Sequence, residues 1–449
     1  MKKKLLSLLL VTAMLLAAAC GNKTQEGNKD PQPSQGEKEP SGDDKTNEGP
    51  AYVTEPVTIQ FWHTMGSGAL AEYMNDAVAR FNKENQYGIT VVATFMGSYA
   101  DVRTQTITSI GAKDNPQVII NGMSNIMAET GTLLDMKPYA QRDGFDLTGF
   151  LDGVQGSMYY EDQLTSLPIQ RSCPVLYYNV DMFKAAGYDE IPGTYEEFLV
   201  AAKKVAQVNK VYGFEEMIDA SFYQNALIAS LGADGLWNKD DSGAGCLEDG
   251  SMLRLLTDWR KGIDEGWILA PGVNSSHDSM YQGLYNKTLA SFFASSAVLE
   301  TISTYAKQSG INLGVAKMPV YGGVGGVGGG GDISILAANN DEQQKAASWE
   351  FVKFMMSDEE IAKRSMATGY LPVTKNSAEL MTSFFEENPF FKTAYEVRLT
   401  CEDVVSSVVR NEWTTQVATA LSYVIQDRSM SPQEGVDYLK SMEASVFID

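Results

Sequence analysis

Val57-Thr58-Ile59-Gln60-Phe61-Trp62-His63 decides how this chain folds. Val57, Ile59 and Phe61 alternate with Thr58, Gln60 and Trp62, the two-residue period of a strand. Leu70, Tyr73, Met74, Ala77, Val78 and Phe81 then recur at helical spacing, and Ile89 to Phe95 returns to the strand pattern. Strand, helix and strand in this order make a right-handed parallel unit. Val118 to Ile120, after Pro116, reads as a further short buried strand. The fold class that follows is α/β.

Toward the C-terminus, helices dominate and their ends are marked. Thr194 with Glu197, Ser357 with Glu360, and Ser431 with Pro432 and Glu434 carry capping-box patterns, while Gly187 and Gly369 stand where helices should stop. Val175 to Tyr178, Leu289 to Ala294 and Ile333 to Ala338 suit buried strands, so α/β continues to the end. No internal repeat is evident. Roughly 400 folded residues without an obvious linker predict two lobes that the chain crosses more than once.

Toward the N-terminus, the pattern stops abruptly. Gly21 to Pro50 holds no hydrophobic residue, so the segment has nothing to bury and is expected to stay disordered. As a flexible coil it would reach about 30 Å. Lys2 to Lys4, the apolar run Leu5 to Ala19 and the small residues Ala17, Ala18 and Ala19 read as an export signal too short to span a bilayer. A small-residue run ending in Cys20 resembles a bacterial lipobox, although Ala17 replaces the usual leucine. That makes Cys20 the lipidation site, and two acyl chains would anchor the protein on the extracytoplasmic face of the membrane without spanning it. An ordinary signal peptide cleaved near an incidental cysteine is the competing reading.

Composition narrows the function. With 449 residues, 44% of them hydrophobic, the chain can bury a large core. Acids outnumber bases 57 to 35, for a net charge of −22, which argues against nucleic acid and anionic lipid as partners. Cys173, Cys246 and Cys401 cannot all pair within one chain, and their bonding is left open. With only His63 and His277 there is no HExxH, no paired-cysteine zinc pattern and no GxSxG elbow, so neither a metal nor a cofactor is expected. Gly323, Gly325 and Gly328 formally satisfy GxGxxG, but they lie inside the run Gly322 to Gly331, which leads into a strand rather than a helix. A mobile loop is the preferred reading. His63 and the Gly97-Ser98-Tyr99 turn follow strands in the parallel unit and are candidates to border a cleft, with a strand-end aromatic and a helix-capping serine as the bland alternatives.

Several stretches carry a family resemblance: Phe61 to Met65; Gly97 to Tyr99; Ser172 to Asn179 (SCPVLYYN) with Asp181, Phe183, Lys184 and Gly187; Ala294-Ser295-Ser296; and Thr368 to Lys375 (TGYLPVTK). With the lipobox and tether, the body from Val57 resembles the extracellular solute-binding lipoproteins (family 1) of ABC importers, in the maltose and glycerol-3-phosphate group and nearest its glycerol-3-phosphate branch. The resemblance implies a two-lobed, type II periplasmic-binding-protein-like fold with a hinge and a central cleft. It divides the chain into a signal peptide at 1–19, a lipidated cysteine and tether at 20–51, an N-terminal lobe at 52–171 and 332–385, and a C-terminal lobe at 172–331 and 386–449. Crossings are expected near Arg171 to Pro174, Gly331 to Ile333 and Asn376 to Phe391.

Carried over by position, Tyr99, Ser172, Ser295, Gly331 and Tyr370 match ligand-touching residues of that branch. Phenols, serine hydroxyls and a backbone N–H beside a glycine suit sugar hydroxyls and phosphate oxygens alike. The departures weigh against phosphate. Met217 and Ala220 stand where the branch has tryptophans, with Phe222 and Tyr223 nearby; an acidic contact falls near Met123 and Ser124; and Thr415 takes the place of a phosphate-clamping arginine. Arg410, a turn earlier, and Trp413 are the candidate substitutes. A sugar or polyol therefore ranks slightly ahead of a glycerol phosphate. The implied protein is a monomeric, non-enzymatic receptor that closes on its small-molecule solute and delivers it to the permease subunits of an ABC transporter. An anchored carbohydrate-active enzyme and a structural surface lipoprotein or adhesin are the alternatives.

Overall fold

A computed structural model describes residues 49–232, 234–272 and 277–447. The export signal, Cys20 and nearly all of the tether expected from the sequence lie outside the described residues.

The opening unit forms as its pattern requires. Strand β1 (Thr58–His63) is followed by helix α1 (Gly68–Glu84), strand β2 (Thr90–Phe95), helix α2 (Tyr99–Ala112) and strand β3 (Val118–Gly122). β1 lies parallel between β2 and β3, with Phe61 in register with Ala93 on one side and Val118 on the other. Tyr73, Met74, Ala77, Val78 and Phe81 of α1 are buried against Ile59 and Phe61. These are residues of the helical stripe read from the sequence.

After β4 (Leu167–Ser172) a second sheet begins: β5 (Pro174–Asn179), β6 (Phe214–Glu215), β7 (Ile268–Leu269), β8 (Ser291–Ser295) and β9 (Leu313–Lys317). The chain then returns as β10 (Gly329–Ile335), which inserts antiparallel between β3 and β4. The first sheet runs β2-β1-β3-β10-β4 and the second β9-β5-β8-β6-β7. In β8 the side chains alternate between two cores: Phe293 packs with Phe198, Phe214 and Trp259, and Phe292 with Tyr177, Leu284 and Ile302. The capping patterns also form. Thr194 accepts from the Glu197 amide, helix α3 (Asp358–Thr368) is capped by Ser357 and ends at Gly369, and helix α5 (Pro432–Val446), which follows α4 (Val408–Leu421), has the full capping box on Ser431.

The sheets fix where the chain crosses. Cys173 alone separates β4 from β5. The return falls before Gly329, because Gly329, Gly330 and Gly331 already pair with β4; the lobe boundary expected at 331/332 moves accordingly. Val373 packs in the first core while Met381 and Phe385 pack in the second lobe. A late segment touches both sides: the Asp403 amide donates to the Gly153 carbonyl, Gly328 donates to Glu402, and Ser406 donates to Met123. Beneath it Arg171 reaches Asp403 at 2.6 Å and Asp332 at 2.5 Å, and Arg398 reaches the other oxygen of Asp403 at 2.6 Å. All four side chains are buried.

Candidate functional site

Between the lobes lies a cavity of about 490 Å³, within the range of small-molecule sites. Its first wall begins at α2. Ser98 caps that helix reciprocally with Asp101, so the serine hydroxyl is committed to the helix end. Tyr99, the first helical residue, and Arg103, one turn on, line the cavity. The Tyr99 hydroxyl donates to Gln170 Oε1 at 2.9 Å. Burial pushes the phenol well above its ordinary range, with neighbouring Tyr370 adding to the shift, so it remains a protonated donor. Met123 and Ser124 beyond β3, Ser172 at the end of β4, and Tyr370 just past α3 complete this side.

The facing wall is more aromatic. Phe222, Tyr223 and Trp237 line it with Asp219, Ser221 and Ser295. Ser295 Oγ accepts the Ala297 amide at 3.2 Å, which leaves its own proton to donate. Asn411 and Thr414 from α4 close the far side.

Glycines form the floor. Gly328, Gly329 and Gly330 line the cavity, and Gly330 has φ +133° with a side-chain position that the Gln170 carbonyl already occupies. The run is therefore not the mobile loop expected from its composition. Pro319–Val320 pairs with Gly323–Val324 as a hairpin, Gly328 is bonded to Glu402, and Gly329 onward is sheet.

The family of bacterial extracellular solute-binding proteins matches residues 76–393. This chain belongs to that family. The solute-binding protein is 27% identical over 364 residues to the sn-glycerol-3-phosphate-binding periplasmic protein UgpB of Rhizobium meliloti, covering 76% of this chain and 81% of the relative. Its fold matches that of UgpB from Mycobacterium tuberculosis in complex with glycerophosphocholine, with 19% identity, 88% of this chain and 98% of that one covered, and a TM-score of 0.74. It matches equally the GacH receptor of Streptomyces glaucescens, solved unliganded and with acarbose, at 19% identity, 87% and 98% coverage and a TM-score of 0.74. The fold is thus the two-lobed periplasmic-binding-protein fold of type II. No described helix is long and apolar enough to cross a membrane.

In this solute-binding protein Tyr99, Ser172, Ser295 and Tyr370 meet at one cavity. Three other expected residues do not line it. Gly331 is buried in β10 opposite Gly122, and a side chain there would stand 2.5 Å from the Tyr99 ring; it makes room for the tyrosine. Trp413 is 0% exposed in the C-terminal core, its indole N–H donating to the Leu236 carbonyl at 2.6 Å, so it offers no face for stacking. Arg410 is tied to Asp241 at 2.7 Å and to the Lys239 and Val405 carbonyls. Its guanidinium lies 5.5 Å from the ring centre of Trp237, a residue of the cavity wall. Thr415 donates to Asn411 within its own helix.

The outer candidates take bland roles. His63 is buried, its Nδ1 accepting the Met65 amide, and burial lowers its pKa to about 4; it does not line the cleft. Cys173, Cys246 and Cys401 are free and buried. Among the described residues no group of His, Cys, Asp and Glu is placed to hold a metal ion. Trp237 and Arg103 went unnoticed in the sequence. The i, i+4 spacing from Tyr99 points to Arg103, whereas nothing around Trp237 distinguishes it from a core tryptophan.

Proposed function

We propose that this chain is the capture component of an ABC import system. Anchored through Cys20 on the extracytoplasmic face, it binds a sugar, polyol or glycerol-phosphate-type solute by closure of its lobes and hands it to the permease. One observation carries the reading: hydroxyl-bearing side chains from the first lobe, Tyr99, Ser172 and Tyr370, face Ser295, Phe222 and Trp237 of the second across one cavity. A solute spanning them gains contacts with both walls only in the shut form, so it biases the equilibrium toward closure.

A binding role is also favoured over catalysis. Glycoside hydrolysis ordinarily needs two carboxyl groups flanking the bond, and among the described residues lining the cavity Asp219 is the one carboxylate. The solute is expected to leave unchanged.

A thermal-shift panel of sugars, polyols and glycerol phosphates on the purified chain tests this. A true ligand at a hundred times its dissociation constant adds about 2.7 kcal/mol of stability. No shift with any member, or chemical alteration of one during incubation, would refute the proposal.

A further inference from the structure

Resting on that reading, we propose that Gln224, buried behind the cavity lining, is the residue that positions its aromatic wall. Gln224 ends the turn Ala220–Gln224, which carries Ser221, Phe222 and Tyr223 to the cavity. The turn is wide. The Asn225 amide reaches back five residues to the Ala220 carbonyl, the spacing of a π-helical turn, a geometry that recurs at functional sites. A single such turn has little regular helix behind it, so its place in the lobe must be fixed by other bonds.

The Gln224 side chain supplies them. Its Nε2 donates to Glu216 Oε1 at 2.5 Å and to the Met217 carbonyl at 2.9 Å, while its Oε1 accepts the Asp219 amide at 2.9 Å. Both amide hydrogens and the carbonyl oxygen are thus committed to residues 216–219, the limb that leads from β6 into the turn. One side chain ties the limb to the turn. Glu216 is held in its own place by Tyr195 of the second-lobe core, whose hydroxyl donates to it at 3.2 Å. On the cavity side the floor only makes room: a side chain at Gly329 would stand 2.7 Å from the Phe222 ring. Without Gln224 the buried Glu216 carboxyl and Asp219 amide would each lose a partner, and a solute would have to order the wall as it bound, at a cost in affinity.

Hydrogen exchange read by mass spectrometry tests the placement with no solute present, on the full chain, Gln224→Met, Gln224→Glu and the double variant Gln224→Glu/Glu216→Gln. Exchange across residues 217–223 should rise at least tenfold in Gln224→Met while β5 stays protected. Gln224→Glu sets carboxyl against carboxyl and should do the same, and the double variant, which reverses donor and acceptor, should recover part of the protection. Calorimetry with maltose, arabinitol and glycerol 3-phosphate then reads the effect on binding. Whichever of them binds the parent chain should bind Gln224→Met at least tenfold more weakly, and that loss should shrink below threefold in a Phe222→Ala background, because the effect passes through the ring. A merely structural role would weaken both backgrounds alike. Unchanged exchange in Gln224→Met, or equal losses in the two backgrounds, would overturn the positioning role and leave solute capture standing. Exchange that rises while none of the three solutes binds would uphold the placement of the wall and count against the proposed function.

Discussion

Two tryptophans in the second lobe show how one residue type serves two purposes. Trp237 has a face on the cavity and the Arg410 guanidinium near its ring. Trp413 is enclosed, its N–H satisfied by a backbone carbonyl. Aromatic anchors in desolvated pockets contribute heavily to binding, whereas deleting an enclosed tryptophan leaves a cavity. Trp237→Ala should therefore lower solute affinity by about 2 kcal/mol, roughly thirtyfold, and should also cost folding stability, because Trp237 is buried in the same core cluster. Trp413→Ala should cost about 3 to 5 kcal/mol of folding stability. Calorimetry and urea unfolding of both variants separate the effects. Sequence could not rank the pair, since each lies in a stretch whose neighbours suit a core position, and only tertiary packing assigns one to the cleft.

At the scale of elements, the crossings are held by ion pairs as well as by strands. The segment around Asp403 follows the helices that pack on the second lobe, yet its carboxylate joins Arg171 of β4 to Arg398. Removing one member of a buried ionic network leaves the others unmatched in a low dielectric. Asp403→Asn, which keeps the shape and loses the charge, should destabilise the protein by about 3 to 5 kcal/mol in urea unfolding. A loss below 1 kcal/mol would mean that water reaches the two arginines. The glycine run gave a misleading signal here. Its composition fits a flexible linker, but Gly330 is there because the β4 backbone passes where a side chain would be, and no local pattern reveals that approach.

For the molecule as a whole, stability should carry the imprint of buried acids beneath the second lobe. Glu216 accepts from Tyr195 at 3.2 Å and from Gln224 at 2.5 Å, yet burial pushes its pKa up to about 8; burial alone pushes Glu215 to about 7. Against an unfolded value of 4.5, the folded state retains protons that the unfolded chain releases. The stabilisation is thus full below that value and is lost as pH rises toward 8. Urea unfolding across this window should show stability declining in the wild-type protein, and Glu216→Gln should flatten the decline by up to about 1.4 kcal/mol per pH unit. An identical pH profile in the variant would mean that Glu216 is ionised in the folded protein. On its own, the sequence determined the α/β class, the opening parallel unit, the helix caps and four cleft residues, because period and capping are local properties and Tyr99, Ser172, Ser295 and Tyr370 lie in recognisable stretches. Only the tertiary structure decided that Arg103 and Trp237 line the cavity while Gly331, Arg410 and Trp413 do not. Facing a cleft depends on which element packs behind a residue, and that partner is hundreds of positions away in the chain.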